Sequence, residues 1–205
     1  MPNFELFSGK PYKEFAEAES KARETVRIAL DGKPAALIGE KLTAAYAAQP
    51  PDWNVVGLAL EAATYAKPTP EIVEVAEKIA ASVPPVEFGP RLVGMAMQIL
   101  ILSGGKKHVD FVFDYVSKGE FKKAASEREA WQLGAEAVGS LAQLPPQEAR
   151  RYLARLAVQY PYNPKKAQSS AIPERVVSEV IRACLDWIRS LMSDRVIDIT
   201  GMPMP

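Results

Sequence analysis

The chain has 205 residues, 48% of them hydrophobic, and its 25 basic side chains balance its 25 acidic ones. That length can bury a sizeable core as one domain or one continuous array, and the zero balance removes any global pull toward nucleic acid or an anionic membrane. The single cysteine, Cys184, excludes an intrachain disulfide scaffold.

Periodicity and punctuation predict helices along the whole chain. The first runs from about Lys13 to Leu30 and is ended by Asp31-Gly32; the second runs from about Pro34 to Ala48, before Pro50-Pro51. Asp52 is placed to cap a third helix that reaches Ala66, and Thr69-Pro70 opens a fourth to about Ser82. A fifth, from about Pro90 to Leu102, stops at Gly104-Gly105, and a sixth covers Lys107 to Val116. A long helix is expected over Ala124 to Leu144, another over Gln147 to Gln159, and a last one over Pro173 to Ser193. Between these last two lies a loop holding Lys165 and Lys166. The expected organisation is a single helical domain, 1–193, with a non-helical tail, 194–205, in which Val196-Ile197-Asp198-Ile199 has strand propensity. Proline falls between the periodic segments, as it must where an internal proline costs ~3 kcal/mol.

Three segments match one another. Val-Gly-Leu-Ala-Leu at Gly57, Val-Gly-Met-Ala-Met at Gly94 and Leu-Gly-Ala-Glu-Ala at Gly134 are spaced 37 and 40 residues apart (94 − 57 and 134 − 94). Counting from each glycine, offset 15 holds Ile72, Val109 and Ala149, and offset 18 holds Val75, Val112 and Tyr152. Offset 19 holds Ala76, Phe113 and Leu153, and offset 22 holds Ile79, Val116 and Leu156. Those offsets make one helical face. A period in this range is that of stacked helical hairpins, each unable to bury its face alone. One step upstream Ser20 takes the glycine's place, and the same face falls on Ala35, Ile38, Gly39 and Leu42. The fold class predicted is therefore all-α, about nine helices in stacked antiparallel hairpins, with the final helix as a cap lacking a hairpin partner.

Over roughly residues 52–160 the spacing and helix lengths resemble HEAT-like helical repeats, whereas a tetratricopeptide period of 34 fits less well. The resemblance implies a right-handed α-solenoid that scaffolds or binds partners along its inner helices. The proline and the aspartate–arginine pattern typical of HEAT units are not clearly present, and no functional residue carries over.

The chemistry-bearing residues are few. His108 is the sole histidine and excludes multi-histidine metal sites; it reads as an exposed residue of a first helical turn. Asp110 and Asp114 share a face and read as a solvated stripe, and Gly104-Gly105-Lys106-Lys107 lacks the spacing of a phosphate loop. Cys184 sits on an apolar helical face with no histidine nearby in sequence, the setting of an inert thiol. Trp53 and Trp131 stand at equivalent places in two of the matching segments and read as packing residues. No catalytic residue, metal site or cofactor is predicted.

From Lys118 to Lys166, nine basic residues stand against five acidic ones. Arg151, Arg155, Lys165 and Lys166 form a candidate partner-facing basic edge. Trp187, with Val196, Ile197 and Ile199 of the tail, forms a second candidate surface, able to pair two copies of the chain through the C-terminus. The function expected is a non-enzymatic protein-interaction module or assembly subunit, with nucleic-acid binding on the basic edge as the alternative and an inter-helix active site as the next. The opening residues have no basic leader with an apolar run. The most apolar stretch, Leu92 to Leu102, is about eleven residues against the ~20 of a membrane span. A cytoplasmic protein without a membrane span is the expectation.

Overall fold

The computed structural model describes residues 33–163 and 171–200, with side chains to Met192 in the second stretch. Among the described residues there are eight α-helices and no strand. They are α1 (Ala35–Ala47), α2 (Trp53–Ala63), α3 (Pro70–Ala81), α4 (Gly89–Leu102), α5 (Lys106–Ser117), α6 (Glu127–Leu141), α7 (Pro146–Gln159) and α8 (Ile172–Thr200). A 3-10 turn, Glu120–Lys123, precedes α6. The helix expected over residues 13–30 lies outside the described residues.

Local chemistry sets the helix ends. Asp52 caps α2, its carboxylate accepting from the Val55 N–H at 3.2 Å. Gly104, at φ +77°, takes the left-handed conformation that closes α4 at little cost only for glycine. The long helix expected from Ala124 begins instead at Glu127, because the Ser126 hydroxyl accepts from the Glu129 N–H at 3.2 Å and fixes the start there. Ser126-Glu127-Arg128-Glu129 has the capping-box sequence. The residues just before it wind into the 3-10 turn, which puts Phe121 into the core.

The last helix differs more. The sequence suggests an end at Ser193 and a non-helical tail beyond it, yet α8 runs to Thr200. The strand preference of Val196-Ile197-Asp198-Ile199 is worth only ~0.5 kcal/mol per residue against a helix, and nothing that breaks a helix occurs before Gly201.

The chain divides into two compact units, residues 1–72 and 73–205, with the boundary inside α3. In the first, α1 packs on α2. Ile38, Leu42, Val56, Ala59 and Leu60 are buried there, and Gly39 lies against Thr69 and Ile72.

In the second unit α6 is central. It packs against α4 and against α8, while α5 and α7 contact α6 and each other, and α7 also contacts α8. Two of the matching glycines explain how closely these helices meet. A Cβ on Gly94 would lie 2.8 Å from the Cβ of Glu136 on α6, and a Cβ on Gly134 would lie 2.5 Å from a methyl of Val177 on α8. Each glycine thus removes a side chain where the helix two further along crosses. Of the twelve side chains at the shared apolar offsets only Tyr152 is not buried.

Candidate partner-binding surface

Helix α7 carries the basic edge. Its apolar face, Ala149, Leu153 and Leu156, is buried, which turns Gln147, Glu148, Arg151 and Arg155 to solvent. They line an open trough of about 730 Å³ together with Pro145 and Tyr152. The Arg155 guanidinium stacks 4.3 Å from the centre of the Phe113 ring, and Phe113 meets Tyr152 with ring centres 5.4 Å apart. Tyr152 donates a long hydrogen bond, 3.4 Å, to Asp110 Oδ1. Desolvation foremost, then the Asp110 charge, pushes the Tyr152 hydroxyl above its ordinary value, so it stays protonated. A second depression of about 390 Å³ shares Pro145 and Gln147 with the first and continues to Pro146, Leu191 and Met192.

Three lysines of the basic stretch are already engaged. Lys118 pairs with Asp114 at 2.8 Å and Lys123 with Glu120 at 2.6 Å. Lys122 pairs with Glu174 and lies over the Phe121 and Tyr160 rings. Among the described residues neither Arg151 nor Arg155 has a carboxylate within ion-pair distance. Lys165 and Lys166 lie outside the described residues.

The second candidate surface is on α8. Val177, Ile181 and Ile188 are buried against the unit, whereas Val180, Cys184, Leu185, Leu191 and Met192 are half-buried. Val180, Cys184, Trp187 and Leu191 follow one another at spacings of four, three and four, a stripe along one flank of the buried face. Trp187 is 52% exposed. The helix expected to lack a partner therefore packs on α6 and α7, with Trp187 exposed on its half-buried apolar flank. On its charged side Arg182 stacks 4.3 Å from the Tyr162 ring centre, and Arg189 pairs with Asp186 at 3.0 Å. The side chains of Val196, Ile197 and Ile199 lie outside those described.

His108 corrects the sequence reading. It is in the first turn of α5, but its side chain is only 16% exposed. Both ring nitrogens are engaged, Nδ1 with Ser103 Oγ at 2.7 Å and Nε2 with Glu77 Oε1 at 3.0 Å. Lys107 donates to the same Glu77 oxygen at 2.9 Å. Lys107 first, then His108, holds the Glu77 carboxyl below its ordinary value. Sequence could not find this, since Glu77 is 31 residues away; only the nearby Ser103 was accessible to local reasoning. A serine–histidine–glutamate line has the residue types of a nucleophilic triad. Ser103 Oγ, however, also donates to the Leu100 carbonyl at 2.7 Å, and Glu77 is shared with Lys107. The arrangement ties α3 to the α4–α5 turn.

Asp110 and Asp114 do not act together, since one meets Tyr152 and the other Lys118. Cys184 is a free, half-buried thiol, pushed up by burial. Trp53 meets Tyr46 edge to face at 6.0 Å, in keeping with a packing role. Among the described residues no three His, Cys, Asp or Glu side chains gather at one point, and no helix is long and apolar enough to cross a membrane. Compared with protein-family models, with curated proteins and with solved structures, the chain finds no match.

Proposed function

We propose that the chain is a non-enzymatic interaction module or assembly subunit, a HEAT-like, right-handed stack of helical hairpins. Its terminal helix α8 docks a second copy. One observation carries this reading: the half-buried apolar flank of α8, centred on a tryptophan that is 52% exposed. An indole left in water on a helix whose Val177, Ile181 and Ile188 are built into the core is the kind of anchor around which interfaces form. The glycine seats at Gly94 and Gly134 support the stacking, because they repeat at equivalent positions and each receives the helix two further along the chain.

The test is solution mass by sedimentation velocity over a range of concentrations. The wild type is expected at twice its 22.4 kDa. Trp187→Ser, and separately a chain ending at residue 193, should move the mass toward the monomer. A 22.4 kDa species at every concentration, or a dimer indifferent to both changes, refutes the reading. Nucleic-acid binding draws less support, because Lys118, Lys122 and Lys123 are neutralised by carboxylates.

A further inference from the structure

We infer that the trough along α7 is a docking site for a short acidic segment of a protein partner, with apolar residues at the segment's ends. This rests on the reading of the chain as an interaction module and names the chemistry of what it binds.

Charge sets the centre of the site. Arg151 and Arg155 are four residues apart, so they project on the same helical face. Both are exposed, and among the described residues neither is neutralised by a carboxylate. Arg155 is held in place by the Phe113 ring, 4.3 Å away. A stacked guanidinium keeps its in-plane N–H donors free and loses less side-chain freedom when a carboxylate arrives.

Apolar surface sets the two ends. At the start of α7 the trough runs into Pro145, Pro146, Leu191 and Met192. Toward the far end Val158, seven residues beyond Arg151 and thus on the same face, is 82% exposed. From Gln147 to Val158 the helix rises about 17 Å. An extended segment of about five residues covers that length. The occupant that matches is apolar, then acidic, then apolar. A nucleic acid matches less well, because Glu148 lines the same trough and, among the described residues, the Pro146 end is lined by Leu191 and Met192 rather than by a cation.

The probe is a fluorescein-labelled peptide of two leucines, three glutamates and two leucines, titrated with the full chain and read by anisotropy. The same peptide with glutamine for glutamate and a nine-nucleotide DNA single strand are run beside it. The glutamate peptide is expected to bind at least tenfold more tightly than the glutamine peptide, and to weaken as salt rises. It should lose at least tenfold with the double variant Arg151→Glu/Arg155→Glu. Arg151→Gln/Arg155→Gln, which removes charge without reversing it, should give a smaller loss in the same direction, with helix content unchanged by circular dichroism. Binding of neither peptide, equal binding of both, indifference to both variants, or tighter binding of the DNA strand would each overturn the inference. Because Leu191 borders both surfaces, the titration is repeated on Trp187→Ser, while the assembly through α8 is read separately by solution mass.

Discussion

Replacing Gly134 and Gly139 by alanine, one at a time, should change stability in opposite directions although both lie in α6. A Cβ at Gly139 would meet nothing within 4 Å. Alanine there gains the ordinary helix preference over glycine, ~1 kcal/mol, partly by restricting the unfolded chain. At Gly134 the same gain applies, but the new Cβ would sit 2.5 Å from Val177 Cγ2 and 3.2 Å from Phe121 Cδ2. Carbon atoms in contact prefer ~3.5–4.0 Å, so the valine methyl must retreat by about 1 Å. Val177 is fully buried and β-branched, with one favoured rotamer in a helix, and Phe121 closes the other side. The retreat therefore has to come from α8 itself. Overpacking costs ~1–3 kcal/mol, and a site unable to turn its side chain away belongs at the upper end. Gly134→Ala is thus expected to lose ~1–2 kcal/mol net, and the two variants to differ by ~2–3 kcal/mol. Urea unfolding followed by circular dichroism measures this directly, and a thermal scan should separate them by several degrees at ~2–4 °C per kcal/mol. Equal stability of the two variants would refute the close approach of α6 and α8.

Glu136 gives a pH effect of defined sign. Burial, only partly offset by Arg91, raises its carboxyl above the ordinary value, so the fold holds a proton that the unfolded chain releases. Stability contributed there falls as pH rises from the ordinary carboxylate range through the raised value. Glu136→Gln should accordingly raise the melting temperature at pH 7 and lose that advantage near pH 4; no difference at pH 7 would contradict it. Glu77 behaves oppositely, since its carboxyl is lowered; its contribution is present at neutral pH and disappears as pH falls below the carboxylate range. Glu77→Gln should cost ~0.5–1 kcal/mol at pH 7, the range of an exposed ion pair, and progressively less as pH falls below the carboxylate range, as urea titrations along that range would report. Phe113→Leu removes the ring under Arg155 and should cost ~0.5–1 kcal/mol beyond its packing loss. A double-mutant cycle with Arg155→Ala isolates that coupling.

The helices and their core faces were legible because each is written locally. Asp52, Pro70 and Gly104 mark ends, and the offsets from each matching glycine mark the buried side. Boundaries failed where a local signal was misjudged. Ser126 caps the start of α6 by accepting from the Glu129 N–H, and the β-branched run after Ser193 suggests a stop although no residue there breaks a helix. The candidate surface was legible only in part. Arg151 and Arg155 could be placed on one helical face, but the Phe113 platform under Arg155 comes from another helix, 42 residues earlier (155 − 113). His108 was misjudged for the same reason. Its partner Glu77 reaches it through tertiary packing, and no local pattern encodes that.

The glycine seats also determine where this chain can change length. Gly134 receives α8 and Glu136 meets Gly94 of α4; two residues along a helix is a turn of about 200°, so α6 offers a seat to one neighbour and fills that of the other from opposite sides. One residue inserted within α6 ahead of these positions would rotate them by about 100° and drive a side chain into a crossing made for none. A residue inserted between hairpins rotates nothing. The two glycine spacings, 37 and 40, bear the mark of that rule. Every shared offset up to 22 is kept, so the three extra residues fall after Val116, where the 3-10 turn Glu120–Lys123 lies. Length drifts in the joints, while the angular phase of each helix stays fixed.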